Sequence, residues 1–263
     1  MSPNMKSEGN KTIVVYIDIM GFSQFVVDSP LQKSIDMLEM FNKTAGVGKK
    51  ILAVFDKDIK TREDVYKNIT YSLLSDSIIL SAKDFANEDD MFDLKLFLLL
   101  QYLAHFQSEM FGMNLPLRGG IAVGQFYFKD NIMVGDALVK AVGLEKCANF
   151  PRILFDNEIC KRLTKRTECL VSIDDDGFTY LDIFKFHKSM REAFYDFSYN
   201  KDNPDQIKVK ESYDKFLSNI LKYITRSLEA DNSKIRDKQM WVIKKFTELF
   251  TDLKIKASSG PST

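Results

Sequence analysis

The spacing of hydrophobic and polar residues predicts where the strands and helices of this chain lie. Thr12–Ile19 (TIVVYIDI) is a continuous apolar run rich in β-branched residues, which is typical of a buried central strand. From Ser29 to Thr44, apolar residues recur on one helical face. Ile69–Ala82 (ITYSLLSDSIILSA) contains two apolar runs around Ser75–Ser77, which indicates a β-hairpin with a tight polar turn.

The middle of the chain repeats this alternation of strands and helices. Residues 45–67 are mixed and charged, which predicts a loop, and a helix capped by Asp89 or Asp90 is expected to end near Phe111. The segment 116–128 is a glycine-containing strand that pairs back with 131–134, and 135–147 is a further helix. Short elements follow, a strand (153–155), a helix (157–163) and two strands (170–173 and 178–181) around the turn Asp174–Gly177.

The order strand, helix, hairpin, helix, strand predicts an α+β fold with a ferredoxin-like βαββαβ core. Apolar residues at helical spacing predict two additional C-terminal helices, 206–228 and 234–253, after a linker at 200–205. We expect helices to cover one face of the sheet and a partner to cover the other, partly apolar face. The predicted divisions are a flexible N-terminus (1–11), a folded domain (12–198), a C-terminal helical extension (199–256) and a disordered tail (257–263).

Composition narrows the functional classes. Lys plus Arg and Asp plus Glu number 37 each, so the chain lacks the basic excess of a general nucleic-acid binder. Three cysteines without paired spacing and two distant histidines predict neither a disulfide framework nor a zinc site. The polar N-terminus lacks a signal-peptide core, and the longest apolar run, 94–104, is too short to span a bilayer. We therefore expect a cytoplasmic protein without nucleic-acid or membrane partners.

Two aspartates stand out because each interrupts an apolar run. Asp18 lies near the end of a strand that is otherwise predicted to be buried, and Asp76 lies at the tip of the predicted hairpin. In a split βαβ core the first strand lies beside such a hairpin, so the two carboxylates would face each other. Mg²⁺ or Mn²⁺ would relieve their repulsion. The alternative is that Asp18 caps a strand and Asp76 only forms a turn. Gly21 and Phe22 similarly predict either a backbone phosphate contact or a plain strand-to-helix turn.

Four motifs in order resemble class III nucleotide cyclases. YIDIMGF (Tyr16–Phe22) is similar to their opening motif, and SDS (Ser75–Ser77) to their second metal-binding aspartate. LRGGIAVG (Leu117–Gly124) and VGDAL (Val134–Leu138) are similar to two later motifs, so the resemblance spans about residues 12–181. It implies two Mn²⁺ or Mg²⁺ ions held by Asp18, Asp76 and the carbonyl of Ile19.

Within that superfamily the chain resembles the pyrimidine cyclases of bacterial antiphage (Pycsar) systems, through SDSIILS, RGGIAVG, GDALVKAVGLE and Pro151-Arg152-Ile153. This resemblance implies a homodimer that converts UTP or CTP into 3′,5′-cyclic UMP or CMP, with UTP the commoner substrate. The cyclic nucleotide then activates an effector that kills the infected cell. The backbone of Ile19–Phe22 would hold the β- and γ-phosphates.

The chain departs from this family in one helix. Many purine cyclases carry an Asn and an Arg where this chain has Val139 and Gly143, so a transition-state arginine must come from elsewhere. Arg118 and Arg152 are candidates for phosphate contacts. Alternatively, Arg118 pairs with a carboxylate at a strand start, and Arg152 pairs with Glu145.

Two other functions fit the same sequence less well. A degenerate cyclase-like module that binds a nucleotide without turnover would explain the departures but not the retention of both aspartates. A two-metal phosphohydrolase would need more metal-binding side chains than this chain offers.

Overall fold

A seven-stranded mixed sheet forms the centre of the protein, with strand order β2-β3-β1-β4-β7-β9-β8. The computed structural model describes residues 11–51, 69–83, 92–130, 132–195, 204–227 and 233–258. The strands of this sheet are β1 (Thr12–Ile19), β2 (Ile69–Leu74), β3 (Ser77–Ala82), β4 (Leu117–Gly124), β7 (Ile153–Phe155), β8 (Val171–Ile173) and β9 (Thr179–Leu181). A separate hairpin pairs β5 (Tyr127–Lys129) with β6 (Ile132–Val134).

Eight helices accompany these strands in the described residues. They are α1 (Phe22–Asp28), α2 (Leu31–Ile51), α3 (Phe92–Gly112), α4 (Asp136–Cys147), α5 (Asn157–Cys160), α6 (Ile183–Tyr195), α7 (Pro204–Ser227) and α8 (Ser233–Ser258), and a 3₁₀ turn covers Glu168–Leu170. No helix in these described segments is both long enough and apolar enough to cross a bilayer.

The first part of the chain confirms the predicted α+β, ferredoxin-like core. β1 pairs antiparallel with β3 on one side and with β4 on the other, and β2 pairs antiparallel with β3. Strand order β2-β3-β1-β4, with α2 and α3 as the two connections, is the split βαβ arrangement. β7 then extends the sheet by pairing parallel to β4.

Several predicted boundaries were wrong. α1 was not predicted, and α2 runs on to Ile51 through residues expected to form a loop, while 52–68 lie outside the described residues. The strand predicted at 116–128 is divided into β4 and β5, and the helix predicted at 157–163 ends at Cys160. Residues 200–203 of the predicted linker lie outside the described residues, as do the N-terminus up to residue 10 and the tail from residue 259. Residues 204–205, predicted as linker, belong to α7, and 257–258, predicted as disordered tail, belong to α8.

The two faces of the sheet are packed differently. Alternate residues of β1 (Ile13, Val15, Ile17 and Ile19) belong to the main core, which includes most of α3. On the opposite face, Val14 packs with Ala137 and Ala141 of α4 in a small second cluster. α4 approaches this closely because Gly120 has no side chain: a Cβ there would lie 2.3 Å from the carbonyl oxygen of Ala141.

The C-terminal helices pack directly against the ferredoxin-like core. The rings of Tyr223 in α7 and Phe111 in α3 meet edge to face at 5.0 Å. The Asn219 side chain donates a hydrogen bond of 3.2 Å to the carbonyl of Ser108. In α8, the Trp241 ring stacks on Phe150 at 5.6 Å. The extension is therefore built into the same structure that carries the sheet.

Candidate active site

The ends of β1 and of the β2–β3 hairpin place Asp18 and Asp76 side by side. Asp18 pairs with Ser77 across the two strands, and the Ile19 amide donates a 3.1 Å hydrogen bond to the carbonyl of Asp76. The hairpin turn is tight because Ser75 takes a positive φ of 55°. Neighbouring strands thus bring the two predicted metal ligands to one edge of the sheet.

Side chains from three strands surround the Asp18 carboxylate. The Ser77 hydroxyl donates to Asp18 Oδ1 at 3.3 Å and also bonds the Tyr16 hydroxyl at 2.8 Å. From β4, Arg118 donates through Nε and Nη2 to Asp18 Oδ2, each at 3.3 Å. These contacts fix the orientation of Asp18 toward the hairpin.

The electrostatics of the site disfavour the ionised form of Asp18. Burial raises the pKa of Asp18, the negative charge of Asp76 raises it further, and Arg118 and Ser77 partly offset this. The ionised form of such a carboxylate is stabilised when a cation binds nearby. Both side chains offer only oxygen, which suits Mg²⁺ or Mn²⁺. Among the residues that the structure describes, however, no group of three or more His, Cys, Asp or Glu is arranged as a metal site.

Glu145 is a third carboxylate of the site, and sequence analysis missed it. Its side chain is only 7% exposed, and Arg118 Nε lies 2.7 Å from Glu145 Oε1, so the predicted pairing of Glu145 with Arg152 is wrong. Burial raises the pKa of Glu145, Arg118 lowers it, and the charges of Asp18 and Asp76 raise it. A sequence signal existed: Ala137, Ala141 and Glu145 share one helical face four residues apart, and an acid in such a stripe requires a buried partner.

Arg152 lies away from these carboxylates. Its side chain is fully buried and forms ion pairs with Asp174 and Asp176 of the β8–β9 turn. The guanidinium also lies over the Phe150 and Tyr180 rings, at 5.2 and 5.6 Å. The structure does not bring Arg152 to the site with Asp18 and Asp76. Instead, the Arg152 guanidinium joins the start of β7 to the β8–β9 hairpin.

Gly21 and Phe22 follow Asp18 at the edge of the sheet. Gly21 has a φ of 83°, the left-handed region that glycine adopts without strain, and its carbonyl accepts from the Phe25 amide. The Phe22 side chain belongs to the buried core. Only the backbone of this loop is therefore placed to meet a ligand.

Val139 and Gly143, the two positions that differ from the cyclase motif, lie on a side of α4 that the described residues leave uncovered. Val139 is 73% exposed on α4. A Cβ added at Gly143 would meet no atom within 4 Å. Within the described residues nothing packs on this side of α4.

Two clefts share Lys238 of α8 in their lining, and each includes a residue that contacts Asp18 or closely follows it in the chain, Arg118 in one and Gly21 in the other. The larger, about 930 Å³, is lined by Arg118, Asn149, Phe150, Asp174, Asp175, Asp176, Asp237, Lys238, Met240, Trp241 and Lys244. The smaller, about 300 Å³, is lined by Met20, Gly21, Phe25, Met37, Asn114, Leu115, Pro116, Tyr223, Arg226, Lys238 and Gln239. The C-terminal extension forms one wall of each.

Comparison with known proteins finds similarity only among solved structures. No protein-family model matches the chain, and no curated protein matches it. A bacterial light-regulated adenylyl cyclase aligns with a TM-score of 0.41 and 11% identity over 79% of this chain and 58% of that chain, less than two thirds of its length. The guanylyl cyclase Cya2 aligns with a TM-score of 0.34 and 12% identity, over 66% of this chain and 93% of that chain.

Proposed function

We propose that this chain is a nucleotidyl cyclase that converts UTP into 3′,5′-cyclic UMP and pyrophosphate, with CTP as the alternative substrate. The observation that carries the proposal is the meeting of Asp18 and Asp76 at one sheet edge, where the charge of Asp76 raises the pKa of Asp18. The pyrimidine base is proposed from the sequence resemblance to Pycsar cyclases alone.

Asp18 and Asp76, with the carbonyl oxygen of Ile19, would hold two Mn²⁺ or Mg²⁺ ions. Their oxygen donors fit a hard cation that keeps other positions for substrate phosphates. When bound, such a cation lowers the pKa of a ribose hydroxyl and offsets phosphate charge.

The residues of the chain position the reacting groups. Ser77 and Tyr16 hold Asp18 in place through the 3.3 and 2.8 Å contacts. The backbone at Gly21 and Phe22 would hold the β- and γ-phosphates. The 3′ hydroxyl releases its proton to solvent water, its oxygen bonds to the α-phosphorus, and the bond from that phosphorus to the bridging oxygen breaks as pyrophosphate leaves. Most of the rate gain comes from orientation and charge compensation.

A second copy of the chain would complete the site. Exposed apolar side chains lie on the β5–β6 hairpin, which follows the end of β4 opposite to Arg118, and on α4, which also carries Glu145 (Tyr127, Ile132, Val134 and Val139). Such residues gather at interfaces between subunits. We propose a homodimer in which the partner subunit closes the base pocket.

The proposed biological role follows from the same resemblance. In a cytoplasmic antiphage system the cyclic pyrimidine nucleotide would act as a second messenger for a separate effector protein. The chain would then be the signal-producing component of abortive infection.

The test is product identification. The purified chain is incubated with Mn²⁺ or Mg²⁺ and each of ATP, GTP, CTP and UTP, and products are identified by chromatography and mass. We expect cyclic UMP, with turnover lowered at least about a hundredfold in Asp18→Asn and Asp76→Asn. Asp28→Asn, an exposed carboxylate of α1, is the matched control.

Each other outcome has a definite meaning. A purine product would refute the base assignment, and full turnover in Asp76→Asn would refute the metal site. Metal-dependent binding of UTP without pyrophosphate release would instead identify a nucleotide-binding module without catalysis.

A further inference from the structure

Arg118 lies between two carboxylates, but its hydrogen bonds go to only one of them. Its Nε and Nη2 donate to Asp18 Oδ2, each at 3.3 Å. Glu145 Oε1 lies closer to Nε, at 2.7 Å, yet no donor among the described residues is aligned to form a hydrogen bond with this buried oxygen. A buried acceptor without a donor is costly. Glu145 is therefore an ion-pair partner whose hydrogen bond to Arg118 is still unmade.

Both oxygens of Asp18 are occupied by side chains of the protein itself. Oδ2 accepts from Arg118, and Oδ1 accepts from the Ser77 hydroxyl at 3.3 Å. A divalent cation binds a carboxylate through the same oxygen lone pairs, and it repels a guanidinium beside it. A cation can therefore use Asp18 Oδ2 only if Arg118 withdraws.

Each side chain that holds Asp18 has a second partner within reach. The Ser77 hydroxyl also bonds the Tyr16 hydroxyl, at 2.8 Å. The Arg118 side chain is 34% exposed and lines the larger cleft, so it has room to move. Because the Glu145 carboxylate already lies beside Nε, rotation of the guanidinium is enough to turn its N–H from Asp18 to Glu145 and to keep an ion pair.

We propose that Glu145 is a positioning residue that draws Arg118 away from Asp18 when a divalent cation binds there. The cation and the guanidinium then exchange on Asp18 Oδ2, and the Arg118 hydrogen bond passes to Glu145 Oε1. This inference rests on the metal site of the proposed function. Without metal, Arg118 is the internal counter-ion of Asp18; with metal, it is the counter-ion of Glu145.

The competing explanation is that Glu145 attracts the cation only through its charge, while Arg118 stays where it is. Glu145→Asp separates the two explanations, because aspartate keeps the charge but its shorter side chain withdraws the carboxylate from Nε. Charge alone predicts nearly wild-type metal binding in this variant, whereas the exchange predicts a loss close to that of Glu145→Gln. Glu158→Gln, which removes an exposed glutamate paired with Lys11, is the matched control.

The test measures Mn²⁺ binding to the purified, nucleotide-free chain by electron paramagnetic resonance, which detects the free ion. We expect Glu145→Gln and Glu145→Asp each to weaken binding about tenfold, and Arg118→Met, which removes the competing cation, to strengthen it about tenfold. Glu158→Gln should bind within about twofold of wild type. The loss caused by Glu145→Gln should be at least about threefold smaller in the Arg118→Met background, because no guanidinium remains to be drawn away.

Circular dichroism confirms that each variant is folded at the titration temperature. If Arg118→Met is not folded, the comparison of Glu145→Asp with wild type decides the proposal by itself. Wild-type affinity in Glu145→Asp, or equal losses from Glu145→Gln in the two backgrounds, overturns the exchange. Equal weakening in Glu158→Gln would mean a general effect of lost negative charge and would also overturn it.

The remaining outcomes separate this proposal from the proposed function. No Mn²⁺ binding by wild type overturns the exchange, even if cyclic UMP is formed. Mn²⁺ binding with the expected order of variants, but without a cyclic product from any nucleotide, supports the exchange and refutes the cyclase.

Discussion

Replacing Arg118 with methionine tests how the site tolerates its own negative charge. Arg118 is the cation between two carboxylates, 2.7 Å from Glu145 and 3.3 Å from Asp18. At an effective dielectric constant near 20 these contacts correspond to about 6 and about 5 kcal/mol of attraction, much of which repays desolvation. Since the Arg118 side chain is 34% exposed, we take the low end of the buried-pair range. Arg118→Met should lower the unfolding free energy by about 3 kcal/mol at neutral pH.

The pH dependence gives this prediction its sign. Burial raises the pKa of both Glu145 and Asp18, so their folded forms bind protons more readily than their unfolded forms. The penalty of Arg118→Met is therefore largest above those raised pKa values and shrinks as pH falls through them. Urea unfolding of wild type and variant at pH 7.5 and pH 5 measures this change.

A second substitution separates charge from packing. Glu145→Gln in the Arg118→Met background removes the buried charge and should restore most of the lost free energy. Loss of the surface pair Lys210–Asp214, by Lys210→Met, should change little. A deficit below about 1 kcal/mol for Arg118→Met, or one that is equal at both pH values, would refute the reasoning.

Three further predictions address stability and assembly. Asp18→Asn should raise the unfolding free energy of the metal-free protein at neutral pH, and less so at acid pH, because the site raises the pKa of Asp18; a lower melting temperature at pH 7.5 would contradict this. Gly120→Ala should lower the unfolding free energy by at least about 2 kcal/mol, because its Cβ would meet backbone 2.3 Å away, whereas Gly143→Ala has open space and should stabilise the helix by about 0.5 kcal/mol in the same urea assay. Val139→Glu should dissociate the proposed homodimer in sedimentation equilibrium without changing monomer stability, since this side chain is exposed on the monomer; an unchanged mass would place the interface elsewhere.

The parts of the fold that sequence analysis predicted correctly are those with strong local patterns. β1 is a long β-branched run, and the β2–β3 turn is a polar interruption between two such runs, so both were identified. α1 was missed because it is only seven residues long: Phe22, Phe25 and Val26 recur at helical spacing, but the pattern ends within about two turns. The sheet order of β7, β9 and β8 depends on pairing between distant segments, which local patterns do not report.

The site was predicted only where one residue violated its own pattern. Asp18 and Asp76 interrupt apolar runs, and the structure brings them together at the ends of adjacent strands. Arg152 was predicted to contact phosphate, but its guanidinium binds Asp174 and Asp176. These aspartates lie in a hairpin more than twenty residues later in the chain, so local sequence does not reveal the pairing.

Charge balance explains why a cation suits the proposed site. Asp18, Asp76 and Glu145 interact through space, and Arg118 compensates only one of their three charges. A divalent cation would supply the deficit, which is why the fit of Mg²⁺ or Mn²⁺ is chemically sound.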